Sequence, residues 1–261
     1  MLRQTILLTI NLCTAMLFLV SSVTHAEKPN VVVIFLDDVG VEAINSYGSE
    51  YYTPSLDRMA AEGVRATNAH AMPLCTPSRI RLMTGKYNFR NYRAMMYMDK
   101  QEKTFGHLLK EAGYRTMVAG KWQLHDNPME ELIGATPADA GFDENFIWQL
   151  NRNDRGSRYW GPTLWDNGKR MIIEDSVFGS DLINKSVREF IREKREPFFV
   201  YYPMNLGHVP YVRTPDTMAA KTDKEKFAGM ITYMDKLVGK VLEEVSSLDS
   251  NRGTLVIFTS D

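Results

Sequence analysis

A cysteine placed at the start of a predicted helix is the most chemically suggestive feature of the sequence. The segment reads Cys75-Thr-Pro-Ser-Arg79-Ile-Arg81-Leu-Met-Thr84-Gly85. Pro77 is typical of the first turn of a helix, which puts Cys75 just before the helix N-terminus, where the helix dipole favours an anion. Arg79 follows about one turn later and can reach back toward Cys75. The pattern favours a cysteine that is used chemically over one that merely fills the core.

Two adjacent acids, Asp37 and Asp38, close the apolar run of residues 31–36. Carboxylates at the end of a buried strand are costly unless a cation neutralises them, and hard carboxylate oxygens favour Ca²⁺ or Mg²⁺. Successive strand side chains point to opposite faces, so both acids can face one ion only where the strand breaks, as Val39-Gly40 predicts. A helix N-cap is the alternative role. Asp261 ends another predicted strand in the same way, which favours the metal.

Alternating strand and helix patterns must position these residues. Predicted strands cover residues 31–36, 64–71, 114–120, 142–148, 197–203 and 254–258. Predicted helices cover residues 54–62, 104–113, 183–191 and 224–248, and residues 149–180 have a loop-like composition. The alternation predicts an α/β fold with a mostly parallel central sheet and helices on both faces. Ligands of such sheets bind at the carboxyl ends of the strands, which is where the acids lie.

Composition excludes several classes of protein. The chain has 261 residues, 31 basic against 32 acidic, with 44% hydrophobic and 24% charged residues. These values exclude a disordered chain, a collagen-like chain and a disulfide-rich miniprotein. A net charge of −1 with no basic block argues against a nucleic-acid partner. The length suits one large domain or two small ones.

The first 26 residues have the pattern of a signal peptide. Arg3 precedes a mostly apolar run at residues 6–23, and Thr24-His25-Ala26 places small residues where a signal peptidase reads. Polar residues interrupt the run and no positive cluster follows it, so a stable membrane anchor is the weaker interpretation. We expect cleavage near Ala26 and export to the periplasm or the medium. Cys13 would leave with the signal, and Cys75 would then be the single cysteine of the mature chain.

The cysteine segment resembles the type I sulfatase signature, C-x-P-S-R-x-x-x-x-T-G, and matches it at every fixed position. The similarity extends along the whole mature chain in the family's order. It is carried by Lys28-Pro-Asn-Val-Val-Val-Ile-Phe-Leu-Asp-Asp38, Thr53-Pro-Ser-Leu-Asp57, Gly63-Val-Arg-Ala-Thr-Asn68, Gly113-Tyr-Arg-Thr-Met-Val-Ala-Gly-Lys-Trp122, Gly207-His208-Val-Pro210 and Phe258-Thr-Ser-Asp261. The resemblance implies an alkaline-phosphatase-like fold.

The resemblance also implies a mechanism. A formylglycine-generating maturation enzyme would convert Cys75 to formylglycine, an aldehyde whose hydrate is a gem-diol. One diol oxygen coordinates Ca²⁺, loses its proton and attacks the sulfur of a sulfate ester, and the alcohol leaves. The second hydroxyl then loses its proton, and sulfate is expelled as the aldehyde reforms. The cation and nearby basic groups neutralise the developing charge.

Roles follow from the family's motifs. By this resemblance the metal ligands are Asp37, Asp38, Asp261 and the modified Cys75. Arg79 would hold the nucleophile and the metal shell. Lys121 would bind sulfate and the leaving oxygen, and His208 would bind sulfate or assist proton transfer.

The sequence departs from the family's pattern in three places. Gln123 stands where the second signature usually has a histidine, and an amide donates a hydrogen bond but is no base. His125 could replace that base if residues 123–125 were extended, although a loop tip is an equal alternative. The asparagine that normally follows Asp261, a later lysine and the C-terminal subdomain do not occur in the sequence. We therefore expect residues 27–261 to be the N-terminal part of a sulfatase catalytic domain, with weak metal binding by itself.

Three other functions agree with parts of the sequence. A phosphodiester or phosphonate monoester hydrolase shares the fold and the nucleophile, and Gln123 leaves room for a non-catalytic relative that binds sulfate esters. The spacing of Cys75 and Arg81 also fits a cysteine phosphatase loop, but Pro77 removes an N–H group that such a loop needs. The resemblance implies a sulfated small molecule or glycan as the substrate. Trp160 and Trp165 could stack on a sugar ring, although packing within their loop is an equal alternative.

Overall fold

The computed structural model describes residues 27–127, 132–151, 154, 156–193, 195, 197–248 and 252–261. The predicted signal peptide, residues 1–26, lies outside these ranges. Within them, none of the helices combines the length and the hydrophobicity that a membrane crossing requires.

A seven-stranded sheet forms the centre of the described chain. Its strands are β1 (Asn30–Leu36), β2 (Arg115–Lys121), β3 (Glu144–Trp148), β4 (Thr163–Asp166), β5 (Lys169–Ile172), β6 (Phe198–Pro203) and β7 (Thr254–Ser260). They lie in the order β5-β4-β3-β2-β6-β1-β7. The five strands from β3 to β7 across the sheet are parallel, and β4 and β5 add an antiparallel edge. The expected mostly parallel sheet is confirmed.

Five α-helices cover the two faces of this sheet. They are α1 (Pro54–Glu62), α2 (Cys75–Thr84), α3 (Phe105–Glu111), α4 (Gly179–Arg192) and α5 (Asp223–Ser246). Val32 and Ile34 of β1 face the core formed with α4 and α5, whereas Val33 and Phe35 face the core formed with α2 and α3. This alternation explains why β1 is apolar from Val31 to Leu36, since a strand covered on both faces has no solvent side.

The predicted strand over residues 64–71 is wrong. These residues are exposed and belong to no strand, and Val64 is entirely exposed. Their alternating apolar positions are mostly alanines, which bury little surface and give a strand little to pack. The carbonyl of Ala66 instead accepts a hydrogen bond of 2.9 Å from the Tyr47 hydroxyl.

Residues 149–180 are not entirely loop, because β4 and β5 form a hairpin inside them. Asn167 and Gly168 occupy its tip with φ angles of 46° and 83°. An Asn-Gly pair is the strongest short-range signal for a two-residue hairpin turn. The sequence therefore contained evidence for this hairpin, although the overall composition of residues 149–180 favoured a loop. A smaller correction concerns Cys75, which is the first residue of α2 rather than the residue before it.

Candidate active site

The carboxyl ends of β1 and β2 bring a buried ion pair together. Asp37 follows β1, and Lys121 is the last residue of β2, with β6 between them in the sheet. The Lys121 ammonium lies 2.6 and 2.7 Å from the two carboxylate oxygens of Asp37. The two side chains are only 1% and 2% exposed, so each charge depends on the other for the solvation that water would otherwise supply.

A second cation, Arg158, binds the same carboxylate. Its Nη1 lies 2.8 Å from Asp37 Oδ2, and its guanidinium lies over the Trp148 ring at 4.9 Å from the centroid. Arg158 comes from the loop that precedes β4. Arg158 was not predicted from the sequence, because nothing in the spacing of that loop shows which of its residues returns to the strand ends.

Asp38 turns the chain out of β1 toward two further candidate residues. Its φ of 57° is in the left-handed region, so the strand breaks at Asp38 itself, one residue before the predicted Val39-Gly40. The Asp38 N–H donates to Asp261 Oδ1 at 2.8 Å, and Asp38 Oδ2 lies 3.3 Å from His208 Nε2. The ends of β1 and β7 and the loop after β6 therefore meet, as the carboxyl edge of a parallel sheet predicts.

Two close contacts fix the loop that carries His208. Gly207 has a φ of 108°, and a Cβ at this position would lie 2.1 Å from a methyl group of Val39. Only glycine therefore lets the loop pass this close to the segment that follows β1. On the other side, the buried Tyr159 hydroxyl lies within hydrogen-bond distance of the carbonyls of Asn205 and His208. Burial raises the pKa of Tyr159, which keeps it a neutral donor.

Cys75 lies beside the acidic strand ends. Its Sγ and carboxylate oxygens of Asp37 and Asp261 all lie within 4.8 Å of one another. The expected contact between Arg79 and Cys75 is not among the hydrogen bonds of the described residues. Arg79 Nη1 instead donates to the carbonyls of Lys121 and Trp122, and the side chain is 1% exposed. In this arrangement Arg79 holds the end of the strand that carries Lys121.

Gln123 pairs with Gln149, which no motif in the sequence marks as a site residue. Its amide Nε2 donates to Gln149 Oε1, and both residues have positive φ angles, 45° and 56°. Strained backbone of this kind is concentrated at functional sites. The ring of His125 is engaged elsewhere, with Nδ1 2.7 Å from the Gly134 carbonyl. This contact gives no support to His125 as the replacement base.

The donor set fits a hard divalent cation. Burial raises the pKa of Asp261, and the nearby Asp37 and Asp38 carboxylates act in the same direction. Asp261 Oδ2 is buried, and within the described residues it has no hydrogen-bond partner. A divalent cation would remove both costs, and clustered carboxylate oxygens are the ligands that Ca²⁺ and Mg²⁺ prefer. Asp38 and His208 form a second possible group with Asp37.

Comparison with known proteins identifies the family. The sequence profile of the sulfatase family matches residues 29–261. The chain belongs to the sulfatase family. An N-acetylgalactosamine-6-O-sulfatase of Bacteroides thetaiotaomicron is 28% identical over 305 aligned residues, which cover 91% of this chain and 59% of that protein. The chain therefore spans little more than half the length of this relative.

Solved structures agree with the predicted fold. Ps i-CgsB in complex with k-i-k-neocarrahexaose has a TM-score of 0.73 and 25% identity, covering 90% of this chain and 58% of that one. A protein of the alkaline phosphatase superfamily from Vibrio parahaemolyticus, 20% identical, has a TM-score of 0.62 and covers 89% of this chain and 54% of that one. The second likeness bears on the fold alone, and it confirms the expected alkaline-phosphatase-like architecture.

Proposed function

We propose that the protein hydrolyses sulfate esters, with a formylglycine made from Cys75 and a bound Ca²⁺ ion. The observation that carries this proposal is the meeting of Cys75, Asp37 and Asp261 within 4.8 Å, beside two cations that both bind Asp37. Family membership supports the same reaction. Mg²⁺ remains the alternative cation, because the donor atoms suit both ions.

Charge balance supports an anionic substrate. Among the described residues, the charged side chains that we assign to this site are the acids Asp37, Asp38 and Asp261 and the bases Arg79, Lys121 and Arg158. Three negative and three positive charges cancel when all are ionised. A bound divalent cation would leave the site with a charge of +2, and such a site attracts and holds a sulfate ester.

The formylglycine would supply the attacking oxygen, and the cation would neutralise the sulfate oxygens. With a cation held by Asp37, Lys121 and Arg158 would have N–H groups to donate to the sulfate instead of to that carboxylate. His208 is the group that can move a proton to or from the leaving oxygen, since its Nε2 already faces the site. Gln123 can donate a hydrogen bond but accept no proton as a base.

We further propose that the substrate is a sulfated carbohydrate and that the protein is exported to the periplasm or the medium. The substrate rests on relatives whose names or structures involve N-acetylgalactosamine-6-O-sulfate chemistry and a bound neocarrahexaose. Export rests on the signal-peptide pattern of residues 1–26. Maturation then requires a formylglycine-generating enzyme as a partner before export.

Paired assays on an aryl sulfate and an aryl phosphodiester test the reaction class. The complete protein, co-expressed with a maturation enzyme and supplied with Ca²⁺, should hydrolyse the sulfate faster. Cys75→Ala should abolish this activity while the thermal unfolding temperature stays within a few degrees of the parent. A faster rate on the phosphodiester would favour the sister hydrolase. Binding of the aryl sulfate without turnover would favour a non-catalytic relative.

A further inference from the structure

A cavity of about 870 Å³ is lined by residues that closely follow, along the chain, two residues of the candidate active site, which we call the strand-end site. Its walls include Trp160, Tyr211, Arg213, Met218, Lys221 and Lys226. The volume falls within the roughly 300–1,000 Å³ that ligand pockets occupy. Residues 204–222 connect β6 to α5, and this connection begins at the same sheet edge as the active site. The connection that supplies most of the cavity wall therefore starts at the active-site edge of the sheet.

Two short chain segments link the cavity to the active site. Arg158 binds Asp37, and Trp160, two residues later, lines the cavity. His208 faces Asp38, and Tyr211, three residues later, lines the cavity. The cavity wall is therefore joined to the active site through two links, of two and three residues along the chain.

Aromatic rings in the cavity wall are held in place by the fold. Trp160 donates its Nε1–H to the Arg213 carbonyl at 2.8 Å and packs on Phe178 with 4.9 Å between ring centroids. Tyr211 meets the Phe227 ring edge-on at 5.2 Å. Rings with an apolar face and a polar tip suit the faces of sugar rings, whose C–H and hydroxyl groups alternate.

The charges in the cavity wall favour an anion. Arg213 donates its Nε–H to the Ala220 carbonyl at 2.7 Å, and neither its guanidinium nor the Lys221 ammonium forms an ion pair with a described residue. Lys226 lies 3.0 Å from Asp223, an acid whose side chain is 76% exposed. The lining residues include three cations, Arg213, Lys221 and Lys226, and one acid, Asp175. Asp223 and the Glu225 carboxylate, which accepts from the Lys221 backbone N–H at 2.7 Å, adjoin two of these cations, so Arg213 is the cation with the least acidic surroundings.

We propose that this cavity binds a second sulfated sugar unit, next to the unit whose ester is cleaved. The aromatic rings would contact the sugar, and Arg213 and Lys221 would bind its sulfate. This inference rests on the proposed function, because it assumes that the neighbouring site binds the scissile sulfate ester. It makes the substrate a multiply sulfated oligosaccharide rather than a single sulfated sugar.

Binding of a sulfated oligosaccharide to a double variant tests the inference. The probe is sulfated neocarrahexaose, titrated by calorimetry into the complete Ca²⁺-loaded protein carrying Cys75→Ala, which prevents turnover. Adding Arg213→Met and Lys221→Met should raise the Kd about tenfold, because two exposed charge contacts are lost. The control pair Lys169→Met and Lys185→Met, on other surfaces, should leave the Kd within about twofold.

Desulfated neocarrahexaose and a small aryl sulfate complete the test. The desulfated sugar should bind weakly and equally to the parent and the Arg213/Lys221 variant. In the Cys75 protein, that double variant should hydrolyse the aryl sulfate with unchanged kcat and KM. An unchanged Kd for the sulfated hexaose, or equal losses for the sulfated and desulfated sugars, would overturn the proposal. If the aryl sulfate is not hydrolysed but the hexaose still binds through Arg213 and Lys221, the proposed reaction is wrong, whereas the proposed binding of a sulfated sugar in the cavity is supported.

Discussion

The strand-end site and the neighbouring cavity both contain cationic side chains, but these side chains are positioned in opposite ways. Lys121 is 1% exposed and bound to Asp37, and its position is set by the register of a parallel sheet. Arg213 and Lys221 lie on a connecting loop, and neither forms an ion pair with a described residue. The first region has the rigidity that bond cleavage requires. The second can vary without disturbing the core, as is typical of a region that selects the substrate.

The buried pair should matter most for stability. Lys121→Met leaves the Asp37 carboxylate buried with Arg158 as its remaining partner, so we expect chelator-treated protein to lose about 3–5 kcal/mol of unfolding free energy. The matched change in the cavity, Lys226→Met, removes a partly exposed pair and should cost about 0–1 kcal/mol. Denaturant unfolding measures both values. Equal losses would show that the two regions do not differ in how they hold charge.

Arg158 should separate the two regions by activity. Arg158→Met removes a charged hydrogen-bond donor that we place on the sulfate, and such bonds contribute about 1.5–3 kcal/mol, or roughly 10- to 150-fold in kcat/KM. The assay uses a small aryl sulfate. Arg213→Met is the matched control and should change the same rate constant less than about twofold. If Arg213→Met strongly lowered kcat/KM for this small substrate, the two regions would not have separate roles.

Salt should weaken the cavity more than the buried site. The Debye length falls from about 10 Å at 0.1 M to about 3 Å at 1 M salt, and exposed charges are screened far more than buried ones. Sodium chloride should therefore raise the Kd of the sulfated hexaose about tenfold across this range. The KM of the aryl sulfate should change much less. A parallel rise in both constants would contradict the comparison.

Gln123 should give the smallest effect. Gln123→His restores a group that can act as a base, and we expect the turnover of an aryl sulfate to rise about two- to fivefold if the missing base limits the rate. Gln101→His, at an exposed turn, is the control for a histidine without a role. Turnover that stays constant or falls would show that another group already performs this proton transfer.

The central part of the site could be predicted from the sequence because local patterns determine it. An apolar run ending in Asp37 and Asp38, and a second run ending in Asp261, place their acids at one edge of a parallel sheet whatever the loops do. The helix after Thr104 was also predictable, since its capping box involves residues three apart. These features depend on periodicity and on chemistry within a few residues.

Features that depend on the path of a loop could not be predicted. Arg158 reaches Asp37 because Tyr159 is tied to the carbonyls of Asn205 and His208, a contact that spans almost fifty residues. The pairing of Gln123 with Gln149 likewise joins two separate strand ends. No spacing in the sequence encodes such long-range contacts. The cavity could not be predicted from the sequence for the same reason.

The most direct test of the account is the mass of the tryptic peptide spanning residues 66–79, which contains Cys75. The protein is produced together with a formylglycine-generating enzyme, and the peptide is compared with that from cells lacking the enzyme. Co-expression should yield a peptide lighter by the difference between a cysteine thiol and an aldehyde, and the modified fraction should follow the rate of aryl sulfate hydrolysis. Unmodified Cys75 in protein that hydrolyses the sulfate would contradict the account.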